Sequence, residues 1–371
     1  MSKKIISFYL PQFHPIKENN EWWGKGFTEW TNVAQARPLF KGHYQPHIPA
    51  DTGFYDLRLE ETRIQQAALA EKYGISGFCY YHYWFNGKML LDCPFNEVLK
   101  SGKPDFPFCL CWANENWTRA WDGLDRQVLI KQDYTSEDAK SHIDWFINVF
   151  KDSRYIKINN RPILLIYRPD HIPEPAKMIE MWRDRALKAG LKGLYLCGVK
   201  SGFATTDDEA LLKQGYDAIV DFQPNRSDFP KSSGFRQWTY RMARKFLPES
   251  FYQALKLRVS ACNCVSYKMM VEGLISKGWP HTYRKFPTIF PSWDNSARRK
   301  TPTIIQNEKP CNYGQWLKDS MSKVSAYPEE EQLVFINAWN EWAEGCHLEP
   351  DLKFGKAFLE ETLNAKKNNG C

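Results

Sequence analysis

The sequence predicts a (β/α)8 TIM barrel. Eight short runs rich in Ile, Val, Phe and Tyr are apolar on both faces, as strands covered by helices are. Amphipathic stretches alternate with them, and a length of 371 residues suits one such barrel with additions.

The strands are read at Ile5–Leu10, Gly77–Trp84, Phe106–Trp112, Ile163–Tyr167, Leu194–Val199, Ala218–Phe222, Thr288–Pro291 and Leu333–Ala338. Helical periodicity falls between them. Leu57–Tyr73 ends at Gly74, a residue suited to a helix C-cap. Ser136–Phe150 opens with a capping serine and acids in its first turn. Glu174–Ala189 stops at Gly190 and Asp207–Gln214 at Gly215, while Tyr313–Ser325 and Phe354–Lys366 follow the last two strands. A long, aromatic first loop, Pro11–Thr52, departs from the repeat. So does a basic helical insertion at 225–285, before strand seven, with helical patterns at Phe235–Phe246 and Phe251–Lys277. The expected organisation is a single catalytic domain, 1–371, carrying that insertion.

The formal net charge is +7, but it is unevenly placed. Lys231 to Lys300 holds 14 of the 50 basic and 3 of the 43 acidic residues, so the remainder is net −4. Whole-surface attraction to nucleic acid is therefore not expected. No apolar run reaches the roughly 18 residues of a membrane span, and the start lacks a signal-peptide h-region, which predicts a cytoplasmic protein. The ten cysteines form no C-x-x-C pair, and Cys109 and Cys111 share one strand face. They read as buried free thiols, with no metal or cofactor expected. No Gly-rich phosphate loop, G-x-S-x-G elbow or zincin histidine pair occurs.

Tryptophan is the outlier, at fifteen residues, many just after predicted strands, where active sites of this fold are built. After strand eight come Trp339, Asn340, Glu341, Trp342 and Glu344. Cleaving a glycosidic bond needs one acid at the leaving oxygen and a second carboxylate as nucleophile, base or charge stabiliser. Glu341 and Glu344 are the catalytic candidates, because indoles and a like charge push paired carboxylates apart in pKa. After strand three come Trp112, Asn114, Glu115, Trp117 and Arg119, groups that hydrogen-bond sugar hydroxyls or cover a pyranose face. His82 and Trp84 follow strand two, Trp30 lies in the first loop, Asp221 ends strand six, and Asp294 and Arg298 follow strand seven. These are the candidate substrate contacts. For His82 a structural hydrogen bond competes with a sugar contact.

The stretches Phe8–Pro15, Trp22–Val33, Gly77–Asn86, Cys111–Gly123 and Asn337–Pro350 resemble the WbsX-type family of bacterial surface-polysaccharide loci. Those proteins are similar to glycoside hydrolase family 99, the endo-α-mannosidases and endo-α-mannanases, chiefly in the barrel and the Asn-Glu-Trp-x-Glu element. The resemblance implies that Glu341 deprotonates the substrate 2-hydroxyl and that Glu344 is the general acid, then the base for water. It also implies no metal cofactor. A rival assignment reads Asn114-Glu115 as the acid/base element of another barrel glycosidase group, with Glu341 as nucleophile.

Three functions are weighed. The first is a retaining glycoside hydrolase or transglycosylase. The second is a glycosyltransferase of O-antigen, capsule or exopolysaccharide assembly, for which the basic block would meet nucleotide or lipid pyrophosphate. The third is a non-catalytic glycan-binding barrel. The expected partner is an oligosaccharide or polysaccharide, in one reading lipid-linked. Residues 231–272 read either as a peripheral membrane contact or as a solvated helical face.

Overall fold

In a computed structural model, residues 3–119, 124–230, 248, 262–280 and 282–368 are described. Eight parallel strands close a barrel: β1 (Lys4–Tyr9), β2 (Gly77–Phe85), β3 (Phe108–Trp112), β4 (Arg161–Ile166), β5 (Tyr195–Lys200), β6 (Ala218–Asp221), β7 (Lys285–Ile289) and β8 (Leu333–Ile336). Each pairs with its sequence neighbours. The ring shuts through β1 against β8, with Lys4 opposite Leu333 and Ser7 opposite Ile336. These are the eight strands the periodicity predicts, with ends shifted by up to three residues.

Helices α1 (Glu60–Lys72), α2 (Cys93–Ser101), α3 (Ser136–Val149), α4 (Pro175–Lys188), α5 (Asp208–Lys213), α6 (Tyr267–Ser276), α7 (Pro310–Lys323) and α8 (Ala357–Asn368) follow the strands in turn. The architecture is a (β/α)8 barrel. Local chemistry sets the helix ends. Thr135, one residue before the expected cap, accepts from the Asp138 amide, and Asp207 caps α5 through Ala210. Gly190 takes a φ of 85°, a region that favours glycine, directly after α4. Not anticipated were α2, whose nine residues include Pro94 in the first turn, and two seven-residue helices in the first loop, Lys17–Trp23 and Glu29–Gln35.

The 225–285 segment differs from the expected helical insertion. Phe235–Phe246, and Phe251–Lys277 up to residue 261, lie outside the described residues. Beyond them, Asn263–Ser266 is a strand, parallel to Thr303–Gln306, which also pairs antiparallel with Trp293–Asp294. Ser266 then caps α6 by accepting from the Met269 amide. A hydroxyl at that position stops the helix from extending back through it, so the helical period begins at Tyr267. Part of the segment is therefore barrel helix six, packed against the loop after β7.

Strand parity fixes what faces where. In β2 the odd residues Cys79 and Tyr81 point inward, and Tyr81 stacks on Phe8 at 5.5 Å between ring centroids. The even residues face the helices: His82 stacks on Trp145 of α3 and Trp84 on His142, at 4.5 and 4.4 Å. Cys79, Cys109, Cys111 and Cys197 are buried and free.

Candidate active site

A cleft of about 740 Å3 opens at the C-terminal ends of the strands, the face on which barrel enzymes build their sites. Its walls are aromatic: Trp22 and Trp23 come from the first loop, Tyr81 and Tyr83 from β2, Trp117 follows β3 and Trp293 follows β7. Tyr83 accepts a hydrogen bond from Gln12 Nε2 at 2.8 Å, which joins the first loop to β2.

Three carboxylates converge on one guanidinium at the floor of the cleft. Arg298 Nη2 lies 2.7 Å from Glu344, and Nη1 lies 3.4 Å from Glu341 and 3.7 Å from Glu29. Glu341 and Glu344 are thus joined through a single fork. That puts them inside about 9.5 Å, the widest separation at which paired glycosidase carboxylates act. Glu341 Oε1 is buried and accepts no well-formed hydrogen bond from the described residues. Burial pushes the Glu341 pKa well above the usual carboxylate range. Glu344 and Glu29 add to that shift and Arg298 opposes it. Glu29 is raised in the same way, by burial first, with Glu344 adding. On Arg298 burial opposes the charge, yet the three carboxylates outweigh it and raise its pKa.

The first and last loops hold this cluster rigid. Asn340 accepts the Leu10 amide at 2.8 Å through Oδ1 and donates to the Leu10 carbonyl at 3.0 Å through Nδ2. Behind the loop that carries Glu341 and Glu344, Glu349 accepts from Tyr55, Trp342, Gln66 and Trp339. Burial pushes its pKa up to about 7 against the pull of those donors.

Of the residues singled out in the sequence, Glu341, Glu344, Arg298, Glu115 and Trp117 line the cleft. The others are placed elsewhere. His82 shares a hydrogen bond with His142, 2.9 Å between Nε2 atoms, and Trp84 donates to Asp138. Trp112 packs against His142 and Trp182 on the outer face of β3. Asn114 donates to the Arg168 carbonyl and accepts the Arg168 amide, both at 2.7 Å, which leaves no amide group for a sugar. Trp30 donates to the Tyr55 carbonyl and Trp339 to Glu349. Asp221 pairs with Lys285 at 3.1 Å. Asp294 accepts from His43 at 2.6 Å and Gln45 at 2.9 Å, tying the first loop to the loop after β7. The side chain of Arg119 lies outside the described residues. Glu115, after the third strand, is 41% exposed and paired with Arg168 at 2.8 Å.

Four groups of the cleft were not anticipated. Glu29 sits next to the flagged Trp30. Tyr81 and Tyr83 alternate with the flagged His82 and Trp84, so strand parity was the signal that pointed to them. Arg168 directly follows β4, as barrel site residues do.

The chain matches, over residues 5–362, the sequence model of a family described as "Glycosyltransferase WbsX". It belongs to that family. It is 40% identical over 363 residues to the uncharacterized protein WxcX of Xanthomonas campestris pv. campestris, in strains ATCC 33913 and B100. That match covers 97% of this chain and 49% of WxcX, so the chain spans about half the length of the curated relatives it matches. Among solved structures, a "glycoside hydrolase-like protein" aligns with a TM-score of 0.59 at 12% identity, covering 98% of this chain and 94% of that one. The GH99 endo-alpha-mannosidase from Bacteroides thetaiotaomicron aligns at 0.58 and 12%, covering 99% and 97%. At that identity the likeness shows a shared fold.

Proposed function

We propose that this chain is a carbohydrate-active enzyme that breaks a glycosidic bond in an oligosaccharide or polysaccharide with Glu341 and Glu344. One observation carries the reading: two carboxylates, bridged by a buried guanidinium, at the floor of an aromatic-walled cleft. A binding module needs neither the pair nor its burial.

The route is substrate-assisted. Glu341 takes the proton of the sugar 2-hydroxyl as that oxygen attacks C1. The C1–O bond to the leaving group breaks, and Glu344 gives its proton to the departing oxygen. The 1,2-anhydro sugar is then opened at C1 by water, whose proton returns to Glu344, while Glu341 returns its proton to the 2-oxygen. Two displacements at C1 retain the configuration. With a sugar hydroxyl in place of water, the same steps transfer rather than hydrolyse.

The test incubates the chain with extracted surface polysaccharide and lipid-linked oligosaccharides and reads new reducing ends and product masses. Full activity in both Glu341→Gln and Glu344→Gln would sink the reading. The family description favours a second one, a transferase using an activated sugar donor. Turnover of a nucleotide sugar that requires neither glutamate would establish it.

Glu29 tunes the pair in this scheme. Glu29→Gln removes a like charge from Glu341 and frees Arg298 to approach it, and both effects lower the Glu341 pKa. The acidic limb of the pH–rate profile is expected to move to lower pH on any glycan the chain turns over. A limb that stays in place would remove Glu29 from the scheme.

Cytoplasmic work at a membrane surface fits this reading. No helix among the described residues is long and apolar enough to cross a membrane, and the basic block at 231–272 would supply the contact with anionic lipid. Arg241→Glu combined with Arg244→Glu is expected to abolish co-sedimentation with anionic liposomes. Equal binding by both proteins would exclude the contact.

A further inference from the structure

The structure brings together a second polar cluster, on the side of the catalytic loop away from the cleft. His47 comes from the first loop, and His347 and Asp351 follow Glu344. All three are buried. His47 Nδ1 lies 2.9 Å from His347 Nε2, and that nitrogen lies 3.9 Å from Asp351 Oδ2. The three candidate ligand atoms all fall within 4.8 Å of one another. We propose that His47, His347 and Asp351 form a divalent-metal site, of zinc type, that staples the first loop to the loop carrying Glu341 and Glu344.

The geometry is close to what a zinc ion requires. Ligand atoms at about 2.0–2.2 Å from tetrahedral zinc stand roughly 3.3–3.5 Å from each other. The histidine pair would open, and the His347–Asp351 pair close, by only about half an ångström. Two imidazoles and one carboxylate suit zinc and neighbouring first-row ions better than magnesium or calcium.

Outer contacts already orient the ligands, as they do around protein metal sites. The Glu349 carbonyl accepts from His347 Nδ1 at 2.9 Å, which puts the Nε2 lone pair on the side of His47 and Asp351. The His347 ring is fixed by stacking on Trp342 at 3.7 Å. Asp351 Oδ1 accepts the amides of Lys353 and Phe354, at 3.0 and 2.6 Å, so Oδ2 is turned toward the histidines. The two imidazoles meet at 89°, with the His47 ring packed on Tyr44. The Tyr44 hydroxyl is buried beside Asp351.

This site is independent of the proposed glycan chemistry, because none of its residues lines the cleft. The test starts from chelator-treated full-length chain and adds Zn2+, then Co2+. The expected result is one Zn2+ per chain after gel filtration. A rise in melting temperature of roughly 3–6 °C is expected with zinc at 100 times its Kd. Co2+ should give tetrahedral visible bands with no thiolate-to-cobalt charge transfer. Affinity should fall at least tenfold in His347→Gln and in Asp351→Asn. The second variant keeps the Oδ1 acceptor of the turn and so separates a lost ligand from a lost fold. Three results would each overturn the site and leave the histidines as a hydrogen-bonded pair. These are no bound zinc, binding unchanged in both variants, or a thiolate band tracing the ion to a pair such as Cys262 and Cys264, whose sulfurs lie 3.4 Å apart.

Discussion

Glu344→Gln is expected to lower kcat by about 10^3, within the 10^2–10^4 range of a general acid, with the fold intact. The amide keeps the shape and one acceptor for Arg298 Nη2, so the cleft persists, but no proton is available for the leaving oxygen. The loss should depend on the leaving group. A glycoside with a good leaving group, such as a nitrophenolate, departs without protonation and should recover most of the rate in Glu344→Gln. In Glu341→Gln the loss should be as large and should not recover, because the 2-hydroxyl must be deprotonated whatever leaves. The double variant should be little worse than either single one, since the two groups act as a unit. Equal recovery in both single variants would mean that the roles are not divided as proposed.

Removing Arg298 should produce the largest change in stability. Arg298→Met leaves Glu29, Glu341 and Glu344 without their shared cation, and leaving a buried charge uncompensated costs about 3–5 kcal/mol. The pH dependence follows from the direction of the pKa shifts. Burial already raises Glu341 and Glu29, and Arg298 opposes that rise. Without Arg298 both rise further. A raised folded-state pKa gives a penalty that is absent below the unfolded carboxylate pKa, about 4.3, and grows as the pH rises toward the folded value. Urea titrations should therefore show a small deficit near pH 4.5 and the full one at pH 8. Equal deficits at both would mean that Arg298 acts by packing alone. Arg298→Lys should fall between, since an ammonium is a single point charge and cannot fork across Glu341 and Glu344.

The barrel was legible because each strand is buried on both faces, and long Ile, Val and Phe runs carry that signal without knowledge of partners. Short helices were not. Glu29–Gln35 and Cys93–Ser101 hold too few turns to display a period, and tertiary contacts hold them in place. For the candidate site, Glu341 and Glu344 were readable as cleft residues from their place after the last strand. Glu29 was not, because only the folded first loop carries it to Arg298. The tryptophans misled in an instructive way. Trp84, Trp112 and Trp339 sit at strand ends as cleft residues do, yet they face the helices or the Glu349 carboxylate. A run apolar on both faces hides which parity points inward, and parity separates Tyr83 in the cleft from Trp84 behind it.

The seam where β1 meets β8 also has a consequence for synthesis. The first loop is made before several of its anchors: Arg298 for Glu29, Asp294 for His43 and Asn340 for Leu10. At about 5–20 residues per second, the roughly 270 residues between Glu29 and Arg298 take roughly 15–50 s to make. Through that interval Glu29 lacks the cation it meets in the fold, and the nascent chain must carry an open-sided barrel until its closing strand arrives.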